Sequence, residues 1–457
     1  MKRCIPLMAL YVSSLVGNDL HAQDPVAYIT DFSSSNSVYA VDTVTNSVIA
    51  TINVSSTSEY PGIAITPDGA KVYVALDSGV VDVIDTRTNT VTASVSLPGA
   101  AFFFPAVTPD GSKVFVTNYS TTNNNIVVID TITDTLITTI DVGSTSEFIT
   151  YAKGKAFISI DNNSVAIVNA ATNALITTTP VGAFPYGIKT TPNGEEVYVA
   201  CLNAAAVNVL SATTNAVVAT IDVGGEPLFT TFSALENRAY IVNFNSNDVS
   251  VIDLTSHAVV ATVGVGGLPL FALSSPDGTK VYVVAADGSM SVIDTSSNAV
   301  IATIPLGNRC DNIAFVPDKT QLVAPLRNGG GVLIIDTTTN TVEATIPVPG
   351  ADLFALTIFE GLQAPSAPMH LSAKARKDIF LTESDYFIVL NWTASPSSSV
   401  TSYKILRNGT QIGTVASTSP LTFQDHHRKK GKTYTYEVIA VNSSGDSSPA
   451  TVTVKAG

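Results

Sequence analysis

The residues best suited to chemistry are six aspartates in similar company. Asp42, Asp85, Asp130, Asp253, Asp294 and Asp336 each close a β-branched run and open a Thr/Asn-rich turn. A carboxylate is a hard ligand for a divalent cation, but such a cation needs several oxygens around one point. Here they occur one to a turn, and Asn169 and Ser211 hold the equivalent place with the acceptor kept and the charge lost. Hydrogen bonds to the backbone N–H groups just ahead explain all eight as turn caps. Asp161-Asn162-Asn163-Ser164 and Asn245-Ser246-Asn247-Asp248 lack the Asp/Gly spacing of a calcium loop, so no metal site is assigned. Histidine is scarce: His257 falls in a turn, His370 follows a Pro-rich stretch, and His426 and His427 lie near the C-terminus. With no Gly-x-Ser-x-Gly elbow, Ser/His/Asp set or His-Glu pair, neither a catalytic residue nor a cofactor is expected.

The elements that carry these turns are short strands. Only 13% of the chain is charged, and Val, Thr, Ala, Ser and Asn crowd it, which favours an all-β fold. Successive turn entries lie 43, 45, 39, 42, 42, 41 and 42 residues apart, the period of propeller blades. Each period reads as four strands; in the second they are Gly62–Thr66, Lys71–Leu76, Val80–Asp85 and Thr90–Ser96. In Thr66-Pro67-Asp68-Gly69, Pro presets the first turn position and Gly accepts a left-handed one. The device returns at Pro109-Asp110-Gly111, Pro192-Asn193-Gly194 and Pro276-Asp277-Gly278. A sheet with two apolar faces must stack between neighbours, and stacking around a circle gives a propeller. The first period lacks an initial strand, while Phe354–Phe359 reads as a lone first strand at the other end. Its pairing with Val26–Thr30 would close the ring and leave no open edge. An eight-bladed β-propeller is predicted, with seven blades as the alternative count.

The phrases Lys71-Val72-Tyr73-Val74-Ala75, Lys113-Val114-Phe115-Val116-Thr117-Asn118 and Lys280-Val281-Tyr282-Val283, each followed by a Val-Ile-Asp-Thr hairpin, resemble the YVTN β-propeller repeat family. The resemblance covers roughly residues 24–360, and implies kinship with exported and surface-layer proteins; similar propellers also occur in lyases, lactonases and redox subunits. Residues 23–360 are assigned to the propeller and 361–367, rich in Pro and Ala, to a linker. Residues 368–457 resemble a fibronectin type III β-sandwich. The resemblance makes Trp392 the buried second-strand aromatic and Tyr434 the hydroxyl donor of a tyrosine corner. Lys377–Tyr386 exceeds the usual first connection, and an extra strand or loop is expected there.

The concave feature of a propeller is the mouth of its channel, where the innermost strands begin, and concave places are where ligands bind. The position of Gly62 recurs as Phe104, Gly187, Phe229, Phe271, Asn312 and Phe354, while the period around Phe148 resists alignment. The four Phe residues either wedge between sheets as core or form an aromatic collar that binds a ligand. The one dense basic run, His426-His427-Arg428-Lys429-Lys430, is a solvated loop or a contact for an acidic partner, a glycan or the propeller's own acidic face.

Lys2 and Arg3 precede an apolar run over Cys4–Gly17 and a more polar stretch ending at Ala22, the pattern of a signal peptide over residues 1–22. The run is shorter than the roughly twenty residues that span a bilayer, and no transmembrane segment is expected elsewhere. Cys201 and Cys310 fall in periods too far apart for a disulfide. The net charge is −14, yet residues 365–457 hold ten Lys and Arg against six Asp and Glu, so the propeller is strongly acidic. That sign disfavours nucleic acid and anionic lipid. The expected function is an exported, non-enzymatic binding or scaffold protein whose propeller engages a protein or glycan, with the fibronectin-like module as spacer or second adhesive surface. A lyase or lactonase at the channel mouth and a passive cell-envelope or surface-layer component are the alternatives.

Overall fold

The computed structural model describes residues 25–457 apart from 33–34, 57–60, 99–101, 120–123, 234, 318–319, 360–366, 381–382, 394–399, 418 and 443–444. The expected signal peptide and almost all of the expected linker lie outside the described residues. The chain divides into two compact units, Asp24–Gly361 and Leu362–Gly457.

Eight four-stranded antiparallel sheets build the first unit. In seven of them the four strands are consecutive in the chain; in the first, Val26–Asp31 pairs with Leu353–Phe359. Val26 stands opposite Phe359 and Ile29 opposite Leu356, so the two ends close the ring as expected. The Phe32 N–H donates to the Asp352 carbonyl at 2.7 Å, and the Asp352 N–H to the Asp31 carboxylate at 2.9 Å. The innermost strands abut in sequence around an axis, the arrangement of a β-propeller.

Burial follows the strand's place in its sheet. The middle strands, such as Lys71–Leu76 and Val80–Asp85, are apolar and covered on both faces, whereas the outermost, such as Thr90–Ser96, alternate. One large aromatic recurs in the second strand of seven sheets: Tyr28, Tyr73, Phe115, Phe157, Tyr198, Tyr240 and Tyr282, all fully buried. Burying each ring stabilises the fold by about 2–3 kcal/mol.

The turns also tie one sheet to the next. Asp42 Oδ1 accepts the Val44 and Thr45 N–H groups at 2.7 and 2.9 Å, Asn169 Oδ1 accepts those of Ala171 and Thr172 at 3.0 and 2.9 Å, and Ser211 Oγ accepts that of Thr214 at 3.2 Å. Further along the turn, Asn89, Asp134, Asn173 and Asn340 sit at φ between 52° and 59°, a left-handed backbone that Asn and Asp tolerate. Their side chains receive groups from the preceding sheet. Tyr73 Oη donates to Asp134 and Lys71 Nζ lies 2.6 Å from it; Lys113 Nζ donates to Asn173 and Lys155 Nζ to Asn215, both at 2.8 Å. In the fifth sheet Glu196 replaces the lysine, and the sixth answers with His257, whose Nε2 lies 3.1 Å from the Glu196 carboxylate. Cys201 and Cys310 are free and buried.

The second unit pairs Met369–Phe380 with Glu383–Thr393 and Thr422–Asp425 in one sheet. Its other sheet is built on Thr410–Ala416, Ser402–Arg407, Thr433–Asn442 and Ala450–Lys455. Trp392, Tyr403 and Tyr436 fill the core, with Trp392 and Tyr403 meeting at 5.6 Å. One expectation is corrected here. The long first connection is neither an extra strand nor a loop, because the first two strands run on as one hairpin whose pairing extends to Phe380 and Glu383. Tyr434 Oη accepts a hydrogen bond from the Lys429 N–H at 3.1 Å. Among the described residues no helix is long and apolar enough to cross a membrane.

Candidate functional site: the axial cavity

One end of the propeller axis holds a cavity of about 380 Å³ to which all eight sheets contribute. A β-bulge near the start of the inner strands shapes it. In the third sheet Phe102 stands opposite Asn118 and Pro105 opposite Val116, so two inner residues oppose the single Thr117. The Thr117 hydroxyl accepts the Phe104 N–H at 3.0 Å, and Ser159 does the same for Phe148 at 3.1 Å and Thr30 for Ala355 at 3.1 Å. A hydroxyl on the second strand thus satisfies the backbone group that the bulge removes from the ladder.

This register places the predicted residues. Phe104, Phe229 and Phe271 line the cavity from equivalent positions. Phe354 lines it too but stands one place earlier: Leu356 pairs with Ile29 as Pro105 pairs with Val116, so Ala355 holds the position of Phe104. The sequence alignment there is corrected by one residue. Phe148, left unaligned, belongs to the set, since Ile149 pairs with Ile158 in the same register. It lies seven residues before Lys155, where Phe104 lies nine before Lys113; allowing for that shorter turn would have found it. Tyr186 was missed because it precedes Gly187, the residue that the alignment singled out.

The rings form one cluster. Phe148 stacks on Phe104 at 4.5 Å and meets Tyr186 at 4.9 Å and Phe229 at 5.0 Å; Phe229 meets Phe271 at 5.6 Å. Such spacings are favourable for aromatic pairs. The rings are half-buried, packed on one another and lining the cavity at once. Arg309, Asp311 and Asn312 supply the polar part of the wall. Arg309 Nε lies 2.5 Å and Arg327 Nη1 2.8 Å from Asp311. Arg327 also grips Asp352 at 2.5 Å, with its guanidinium 4.0 Å from the Phe32 ring centroid. Among the described residues no three His, Cys, Asp or Glu side chains gather to hold a metal ion.

Glu147 precedes Phe148 in the bulge and is 1% exposed. Burial first, and then the nearby Asp161 carboxylate, push its carboxyl up to about 8. The folded state therefore keeps a proton that the unfolded chain sheds above its ordinary value of 4.5, and stability falls as pH rises from there to about 8. Glu147→Gln keeps the shape and removes the charge. It is expected to raise stability at pH 8 by roughly 2–3 kcal/mol and to flatten the slope between about pH 5 and 8, read as urea midpoints across that range. Parallel pH curves for the two proteins would refute the assignment.

The basic run in the second unit is largely engaged. His426 Nδ1 lies 2.6 Å from Asp385 and its ring stacks on Phe387 at 4.7 Å, while Arg428 Nε donates to the His426 carbonyl at 2.8 Å. His427, Lys429 and Lys430 are exposed, with the Lys430 amine 6.0 Å from the Tyr386 ring.

No family model and no curated sequence matches the chain. Solved structures do. Dihydro-heme d1 dehydrogenase NirN in complex with DHE is similar with a TM-score of 0.64 at 17% identity, over 74% of this chain and 75% of that one. AztD from Citrobacter koseri is similar with a TM-score of 0.57 at 12% identity, over 73% of this chain and 97% of that one, and its apo form with 0.56 at 13%. At those identities the likeness concerns the fold, and both proteins are β-propellers. The axial cavity is therefore a concave site on a β-propeller scaffold.

Proposed function

We propose that this chain is an exported, non-enzymatic binding protein of the YVTN type, with eight blades and a fibronectin type III-like module as spacer or second adhesive surface, whose axial cavity receives a sugar ring of a glycan. The observation that carries the reading is the wall of the cavity: Phe104, Phe148, Tyr186, Phe229, Phe271 and Phe354 on one side, and Arg309, Asp311 and Asn312 on the other. A pyranose has the matching chemistry, an apolar C–H face for aromatic rings and hydroxyls for an amide, a carboxylate and a guanidinium. A cavity of about 380 Å³ suits one or two such rings. The signal-peptide pattern of residues 1–22 and the YVTN phrases support export and the repeat type; the eight sheets support the blade count. Acid–base or metal chemistry is disfavoured because Asp311, the one carboxylate that lines the cavity among the described residues, is held by two arginines.

A glycan array probed with the full chain tests this reading. Binding of a defined set of glycans is expected, weakened about tenfold or more by Asp311→Asn, which removes the charge and replaces one of the two acceptor oxygens by a donor while leaving the rings. Failure to bind any glycan, or binding indifferent to that change, overturns it.

A further inference from the structure

The opposite end of the axis carries a second cavity, about 320 Å³, lined by inner strands of the fifth, sixth and seventh sheets and the turns after them. One lysine opens into it. Lys189 lies two residues beyond Gly187 on the strand Pro185–Thr190, one pleat further along the axis than the collar. The register fixes its counterparts in the other sheets as Ala64, Ala106, Thr150, Thr231, Leu273, Ala314 and Thr357. Packing around the axis is met seven times by small or neutral side chains, so nothing in the scaffold calls for a cation at this place.

The amine is also uncompensated. No hydrogen bond or ion pair ties Lys189 Nζ to any described residue, whereas Lys71, Lys113, Lys155 and Lys280 all reach acceptors in the next sheet. Burial alone, with no carboxylate acting on it, holds the Lys189 amine below the ordinary lysine range. Lys189 is half-buried, and a charge partly withdrawn from water without a partner is costly and is normally paired. The Thr231 hydroxyl accepts the Ser274 N–H at 3.1 Å and donates to no described residue. The hydroxyls of Thr190 and Ser275, by contrast, are engaged, the first with Thr150 at 2.9 Å and the second with Asp277 at 2.6 Å. Asp277 belongs to the rim turn, where its carboxylate is bound by Ser275 and by the Thr279 N–H at 3.0 Å.

We propose that this cavity is a binding site for a small oxyanion, a carboxylate or phosphate group, held by the Lys189 ammonium and the Thr231 hydroxyl. The anion supplies the acceptor that both donors lack. The site lies at the other end of the axis from the glycan cavity and does not depend on that reading.

Titration calorimetry of the full chain, with inorganic phosphate and separately with acetate, tests it. Saturable one-to-one binding of at least one of them is expected, and the anion that saturates tells a phosphoryl from a carboxyl ligand. Lys189→Met should weaken binding about tenfold or more and Thr231→Val about threefold, while Lys374→Ala, an exposed lysine of the other unit, should change nothing. Failure of both anions to saturate overturns the proposal, as does binding indifferent to Lys189→Met. Should that variant not fold, the Lys189 side-chain amine resonance of the unaltered, isotope-labelled chain must shift on anion addition; an unmoved resonance is equally fatal.

Discussion

Gly187→Ala is expected to destabilise the propeller by roughly 3 kcal/mol and to abolish ligand binding at the axial cavity, although it adds a single methyl group. A Cβ at this position would overlap the Leu228 carbonyl oxygen and stand 2.9 Å from Phe229 Cδ1. The obstacle is the backbone of the neighbouring inner strand, so no rotamer change relieves it. The fifth and sixth sheets must part, and Phe229 then loses its seat against Phe148 at 5.0 Å and Tyr186 at 5.6 Å. Phe104 and Phe148 fill the equivalent place in the third and fourth sheets, and the absence of a side chain at Gly187 in the fifth lets the ring of the sixth enter. Urea denaturation and glycan binding read the two consequences. A variant within about 0.5 kcal/mol of the parent would mean that the inner strands are not this close.

The second large effect lies at the seam where the ring closes. Arg327→Met should cost about 3–5 kcal/mol, because Asp352 loses its guanidinium partner and Asp311 keeps only Arg309. Asp311 is 9% and Asp352 22% exposed at the side chain, so water compensates poorly for the loss. Asp352 in turn connects to Asp31 through its N–H at 2.9 Å, which couples the eighth sheet to the first. Adding Asp352→Asn to Arg327→Met should restore part of the stability, since it removes a stranded charge; strictly additive losses would show that the groups do not act as a unit. Denaturation midpoints of the parent, both single variants and the double variant complete the cycle.

Both effects depend on features that are unequally visible in the residues. The period of about 42 residues, the Pro-Asp-Gly turns, the capping Asp, Asn and Ser, and the pairing of the first and last strands are all carried by neighbours in sequence. A turn needs only the four residues that form it, and a missing first strand at one end shows as a surplus strand at the other. The aromatic collar was partly legible for the same reason, through Phe104, Phe229 and Phe271.

Phe148 escapes alignment because its turn to Lys155 is shorter, Tyr186 because the alignment singles out Gly187 beside it, and Phe354 is displaced by one residue because of the bulge, which adds an inner-strand residue that periodicity cannot register. Its place is set by hydroxyls on an adjacent strand, Thr117, Ser159 and Thr30. The exchange of Lys and Asn for Glu196 and His257, the Arg327 seam and the solitary Lys189 depend likewise on groups brought together from separate sheets. Local chemistry settles where a strand turns, and that much stands in the order of the residues. Which charge finds a partner and which ring meets another is decided by contacts between groups 16 to 321 residues apart, and these exist only once the sheets have packed and the ring has closed.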